Sequence, residues 1–259
     1  MSDHGRMHVP GPSDVDVAAE SASGPTDPQH PHFPRRITSF RARRSTISER
    51  QQAIWDRLWP ELGTQARDGD EPAGLLDTDA WFGRHAPVVL EIGCGTGTST
   101  LAMAKAEPDT DVVAVEVYRR GLAQLLAAID REKVPNIRLI RGDGVDVLTH
   151  MFAPGSLTGV RVFFPDPWPK ARHHKRRLLQ RDTVALIADR LRPGGVLHAA
   201  TDHPGYAEHI AEVGDAEPRL RRVRADDAGL PISAARPATK YERKALAGTD
   251  VAELLWEKS

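Results

Sequence analysis

The chain has 259 residues, 35 Lys or Arg against 36 Asp or Glu for a net charge of -1, 40% hydrophobic residues and one cysteine. That length holds one α/β domain and a tail; the charge balance excludes coating nucleic acid by global excess, and a lone cysteine excludes a disulfide framework. No apolar run reaches the roughly 18 residues of a membrane span and the start lacks a secretory signal, so the sequence predicts a cytoplasmic protein with no membrane partner.

Met1–Pro34 is poor in large apolar residues and rich in Pro, His, Ser and Asp, which predicts a disordered tail. Residues 35–62 read as a basic lead-in and a first helix. Arg35, Arg36, Arg41, Arg43, Arg44, Arg50 and Arg57 face only Glu49 and Asp56 in opposition. Ser48 with Gln51 is a capping-box signal, followed by Ile54, Trp55, Leu58 and Leu62 at helical spacing. Gly63–Gly74 reads as a loop.

Strands and helices then alternate. Strands are predicted at Val88–Ile92, Val112–Val117, Ile137–Arg141, Val160–Phe164 and Val196–Thr201. Helices are predicted at Thr98–Ala106, Arg119–Glu132, Val145–Met151, Arg177–Leu191 and near Tyr206–Val213, with a final strand pair within Thr239–Glu257. This alternation predicts an α/β fold, a mostly parallel doubly wound sheet with helices on both faces, ending in a C-terminal antiparallel strand pair.

The first of these strands breaks into Gly93, Gly95 and Gly97 before a helix. Glycines let backbone approach a ligand, and a helix start presents free amides. Dinucleotide loops want G-x-G-x-x-G, whereas here the third glycine comes one residue early. Glu91 could face an ammonium, Glu116 at the next strand end both hydroxyls of a ribose, and Asp143 after the third strand an adenine amine. That set fits S-adenosylmethionine better than a nicotinamide cofactor. Cys94 reads as a packing residue.

After the fourth strand comes Pro165-Asp166-Pro167-Trp168-Pro169, where three prolines forbid further helix or pairing. The result is a stiff, exposed loop carrying a carboxylate and a large aromatic. Trp168 either stacks on an extruded base or packs under the loop. Lys170, Arg172, His173, His174, Lys175, Arg176 and Arg177 follow as a cationic stretch suited to phosphate, which together point to nucleic acid. The two histidines lack acid or cysteine partners at ligand spacing, so no metal is expected.

These residues match a family. LEIGCGTG, AVEVY, RGDGVDVL, FFPDPWPKARHHKRRLLQ, GGVLHAATDHPGYAEHI and TKYERKALAGTDVAELLWEK resemble the bacterial tRNA (guanine-N7-)-methyltransferases over roughly Arg35–Lys258. The resemblance implies a Rossmann-like class I methyltransferase domain over 63–259. It implies transfer of a methyl group from S-adenosylmethionine to N7 of the variable-loop guanine conventionally numbered 46, with tRNA as partner. It implies cofactor contacts at Glu91, Glu116, Asp143 and Asp166, with Asp166 also the catalytic candidate. Substrate contacts are implied at Lys170, Asp202, Thr239, Lys240, Tyr241 and Glu242; the arginine-rich lead-in reads by itself as a solvated disordered arm, and the resemblance implies that it folds over the tRNA backbone. Two other readings compete: a nicotinamide-dependent oxidoreductase, disfavoured by the glycine spacing, and a catalytically silent RNA-binding subunit.

Overall fold

The computed structural model describes residues 46–227, 229–237 and 250–259. The tail Met1–Pro34, the stretch Arg35–Arg44 and the run Thr239, Lys240, Tyr241 and Glu242 lie outside the described residues. Helix α1 (Glu49–Leu62) starts at the predicted capping box: the Gln51 amide donates to Ser48 Oγ at 3.3 Å and the Ser48 amide donates to Gln51 Oε1 at 3.1 Å.

Gly63–Gly74 is more than a loop. It holds an edge strand β1 (Gly63–Gln65) and a hairpin of β2 (Arg67–Asp68) and β3 (Glu71–Pro72). These strands are too short to show alternation, and the sheet edge beside β1 imposes its pairing. Then follow α2 (Thr78–Phe82), β4 (Val88–Ile92), α3 (Thr98–Ala106), β5 (Asp111–Glu116), α4 (Arg119–Glu132), β6 (Ile137–Arg141), α5 (Gly144–His150) and β7 (Leu157–Phe163). A 3-10 turn (Ala171–Arg176) leads to α6 (Arg181–Arg190), β8 (Leu191–Thr201), α7 (Pro204–Asp215), β9 (Leu220–Val223) and β10 (Ala252–Lys258).

The main sheet runs β1-β6-β5-β4-β7-β8-β10-β9, parallel from β1 to β8 and antiparallel across β8-β10-β9. Five of its strands, β4, β5, β6, β7 and β8, therefore end on one edge. Chain order reverses between β4 and β7, and in open α/β sheets the crevice at that reversal is where ligands bind.

One face buries Leu90, Val113, Ile140, Val160 and Val162 against α5, α6 and α7. Under β5 and β6 the other face buries Val112, Ala114, Ile137 and Leu139 against α1 and α4 through Trp55, Leu122, Leu125, Leu126 and Ile129. Met103 of α3 meets that second face at Phe163 of β7 and Ala200 of β8. Ile232, from the segment 229–237, packs there on Val89, Val196, Val223 and Leu255.

One predicted helix is corrected. The helix expected over Arg177–Leu191 begins only at Arg181, because Arg177 and Gln180 are extended (ψ 137° and 169°) and the Leu179 amide is taken by the buried Tyr206 hydroxyl at 3.1 Å. Of the strand pair expected within Thr239–Glu257, residues 239–249 lie outside the described residues; β10 makes the C-terminal antiparallel pairing, with β8 and β9. Long-range pairing of this kind leaves no local signal.

Candidate active site

The glycine loop is built by what surrounds it. Gly93, Gly95 and Gly97 have φ of 80°, 56° and 75°, the left-handed region that glycine enters without penalty. A Cβ built at Gly93 or Gly95 would meet nothing within 4 Å, so this backbone lies bare to open space. At Gly97 it would fall 2.5 Å from Leu125, which fixes that glycine by packing. The loop delivers the chain to α3, whose first turn has no side-chain cap, so its amides face outward.

Glu91 on β4 is 2% exposed and its Oε2 has no hydrogen-bond partner among the described residues. Burial pushes its carboxyl up to about 7, against the pull of the Arg161 charge and the Thr100 hydroxyl. A buried acid with an unanswered oxygen beneath a bare glycine loop suits a cationic group.

Glu116 has work besides a ribose. Its Oε2 accepts from the Gly95 amide at 3.0 Å, and Oε1 from the Val117 and Tyr118 amides at 2.7 and 3.0 Å, clipping the glycine loop to the end of β5. Burial raises this carboxyl, the amide bonds oppose that, and the Asp166 charge adds to the rise. Asp166 thus lies within electrostatic reach of the ribose candidate. Gly121, unmarked by any sequence signal, holds α4 against the same loop: a Cβ there would sit 2.2 Å from the Gly95 carbonyl oxygen. Asp143 caps α5, its Oδ1 accepting from the Val145 amide at 2.8 Å.

The proline loop after β7 is exposed at Asp166, half-buried at Pro165 and Pro167 on either side, and buried at Trp168. Phe164 and Trp168 both take left-handed backbone, φ 50° and 43°, a conformation costing non-glycine residues ~1–3 kcal/mol each and kept only when neighbours over-determine it. The neighbours are on view. Phe164 donates its amide to the Ala200 carbonyl at 2.8 Å, and Arg177 Nε donates to the Pro167 carbonyl at 2.9 Å. The Trp168 ring, 7% exposed, meets the His173 ring edge-on at 5.7 Å and has the Arg176 guanidinium 4.9 Å above it. Trp168 packs under the loop and is no stacking platform.

The cationic stretch divides accordingly. Arg177 is buried on the Tyr206 ring at 4.8 Å, and Arg176 is spent on Trp168. Arg176 is half-buried; Lys170, Arg172 and Lys175 are the exposed members. Asp202 is exposed just beyond β8, on the same edge. Cys94 is buried, and burial together with the Glu91 and Glu116 charges drives its thiol far up, which suits packing and not nucleophilic attack.

The structure therefore gathers Glu91, Gly93, Gly95, Gly97, Glu116, Asp143, Asp166, Lys170 and Asp202 along one edge, at the ends of five strands. Residues 85–253 match the family model described as "Putative methyltransferase". A tRNA (guanine-N(7)-)-methyltransferase of Mycolicibacterium vanbaalenii is 80% identical over 100% of this chain and 99% of its own length. One of Mycobacterium bovis is 64% identical over 100% of this chain and 96% of its own. The chain belongs to the tRNA (guanine-N7-)-methyltransferase family.

Among solved structures, the 16S rRNA methyltransferase KamB superposes with a TM-score of 0.46 at 17% identity, over 74% of this chain and 97% of that one. As a member of its family the chain is a methyltransferase of class I, Rossmann-like fold that takes its methyl group from S-adenosylmethionine. The bare glycine backbone, the uncapped α3 and the unanswered Glu91 oxygen are the features of this methyltransferase that fit that cofactor.

Proposed function

We propose that this chain methylates N7 of the variable-loop guanine conventionally numbered 46 in tRNA. The observation that supports it most is Asp166, an exposed carboxylate at the tip of a loop held by prolines, two strained residues and Arg177, on the sheet edge it shares with the glycine loop. Glu91 takes the methionine ammonium, the glycine backbone and first turn of α3 its carboxylate, Glu116 the ribose and Asp143 the adenine amine. The bound cofactor supplies an electrophilic methyl group on a sulfonium.

Guanine N7 carries an in-plane lone pair and no proton. That pair forms the new nitrogen–carbon bond as the carbon–sulfur bond breaks and its electrons return to sulfur, so no general base is needed. What the protein supplies is in-line placement and a negative group beside a ring that becomes positive. Asp166 provides that group. Asp202 and Glu242 accept from the guanine N1-H and N2 amine, a demand that adenine would leave unmet. Lys170, Arg172 and Lys175 hold phosphate, and the run Thr239, Lys240, Tyr241 and Glu242 completes the substrate contacts.

The test is position mapping. Unmodified tRNA transcript, incubated with protein and S-adenosylmethionine, is cleaved chemically at N7-methylguanine; a cut at the variable-loop guanine is expected, and a cut elsewhere or none overturns the reading. In the same assay Asp166→Asn lowers the single-turnover rate about 100-fold while S-adenosylmethionine still binds. An undiminished rate would remove Asp166 from the chemistry.

A further inference from the structure

The segment 229–237 runs as a strap along β7, on the face that also takes Met103 of α3. Gly159, Arg161 and Phe163 alternate along that strand and share one face. The strap meets them in order. Ile232 fills the space over Gly159, where a Cβ would lie 2.7 Å from its Cδ1. The Ser233 carbonyl accepts from Arg161 Nη2 at 3.2 Å, and the Ser233 amide donates to Glu107 Oε1 at 2.6 Å. Glu107 Oε2 ion-pairs with the same Arg161 nitrogen at 2.6 Å, on an arginine 0% exposed. Arg236 reaches the end of the strand, its guanidinium 5.6 Å from the Phe163 ring centre and 4.9 Å from that of Phe164.

Arg236 is itself held. Its side chain is 3% exposed, and Nη2 pairs with Glu253 Oε1 of β10 at 3.0 Å. The second Glu253 oxygen meets His198 Nε2 of β8 at 3.1 Å, and the His198 ring stands edge-on to Phe163 at 4.9 Å. The circuit Arg236–Glu253–His198–Phe163 thus ties the strap, β10, β8 and β7 together just before the left-handed Phe164. From there Pro165 leads directly to Asp166.

We infer that Arg236 is a positioning residue for methyl transfer, acting through Asp166. Its planar guanidinium lies against both phenyl rings and fixes the turn that aims the carboxylate, while the Phe164 amide is held by Ala200. A guanidinium does this and an ammonium does not, because only the former is flat, stacks on a ring and keeps a directed bond to Glu253. The inference rests on the reading of Asp166 given above.

The test uses full-length protein and tRNA transcript, with single-turnover rate, S-adenosylmethionine and tRNA dissociation constants and thermal midpoint all measured. Arg236→Met is expected to slow methyl transfer about ten-fold or more with both dissociation constants within about two-fold of wild type. Arg236→Lys recovers only part of the loss. Glu253→Gln, which keeps the volume and removes the ion pair, slows the reaction in the same direction and serves should Arg236→Met fail to fold.

In a cycle with Asp166→Asn, adding Arg236→Met costs little further rate, as two changes acting through one group should. Wild-type rate in Arg236→Met, a loss that adds in full to that of Asp166→Asn, or a fall in rate that merely tracks cofactor affinity and thermal midpoint would each overturn the inference. A fast Asp166→Asn variant sinks the reading of Asp166 and the inference with it; a slow one beside a fast Arg236→Met sinks the inference alone.

Discussion

At Glu91 an acid is kept where water cannot reach it. Its folded value of about 7 stands above the ordinary 4.5, so the folded chain holds this proton longer than the unfolded chain does. The contribution of Glu91 to stability is therefore lost as pH rises from about 4.5 to about 7, and is constant above. An arriving ammonium favours the ionised form and expels the proton. Titration calorimetry should show proton release on S-adenosylmethionine binding below about pH 7, with the dissociation constant rising up to about ten-fold per unit of acidification. Glu91→Gln should bind about ten-fold or more weakly and lose that slope; an unchanged slope would acquit Glu91. Gly121→Ala makes the second test at this scale. Its methyl, 2.2 Å from the Gly95 oxygen, must push the glycine loop off Glu116. Cofactor affinity should fall about ten-fold or more with a smaller loss of thermal midpoint, and unchanged affinity would show that the loop can yield.

Among the elements, the 3-10 turn sorts its cations by burial. Replacing Lys170, Arg172 and Lys175 together with alanine should flatten the dependence of log affinity for tRNA on log salt by about 2, at unchanged thermal midpoint. Replacing Arg176 and Arg177 should instead lower stability and leave the slope nearly alone. Equal slopes in both variants would mean that burial does not decide which cations meet RNA. This division was not legible in the sequence, where RHHKRR is one uniform charge run.

Legible were features that act over a few residues: the capping box of α1, the period of α4, the buried apolar run of β4, the glycines and the prolines. Acids at successive strand ends could be read because the α/β pattern itself sends those ends to one edge. Contacts between distant segments could not be read: Gly121 against Gly95, Tyr206 drawing out the start of α6, Ile232 over Gly159. Each depends on a partner tens of residues away, and nothing local in either sequence names the other.

For the whole molecule, β10 decides closure. Trp256 is fully buried, its Nε1 donating to Asp215 Oδ1 at 2.9 Å and its ring filling the place a Cβ on Gly214 would occupy. Trp256→Ala should cost ~3–5 kcal/mol in urea unfolding; a loss under about 1 kcal/mol would mean that the sheet holds without it.

Among the described residues, strand β9 pairs into the sheet through β10, and Arg236 pairs with Glu253 of β10. Translation makes both before that strand exists. A nascent chain paused after Pro237 would already contain Glu91, Glu116, Asp143, Asp166 and Asp202, yet β9 would lack its β10 neighbour and the guanidinium beside Phe164 its ion pair with Glu253. Assembly of this sheet thus runs against the order of synthesis: the segment beside the Phe164 turn waits for residues 252–258 to emerge and slot between strands on either side.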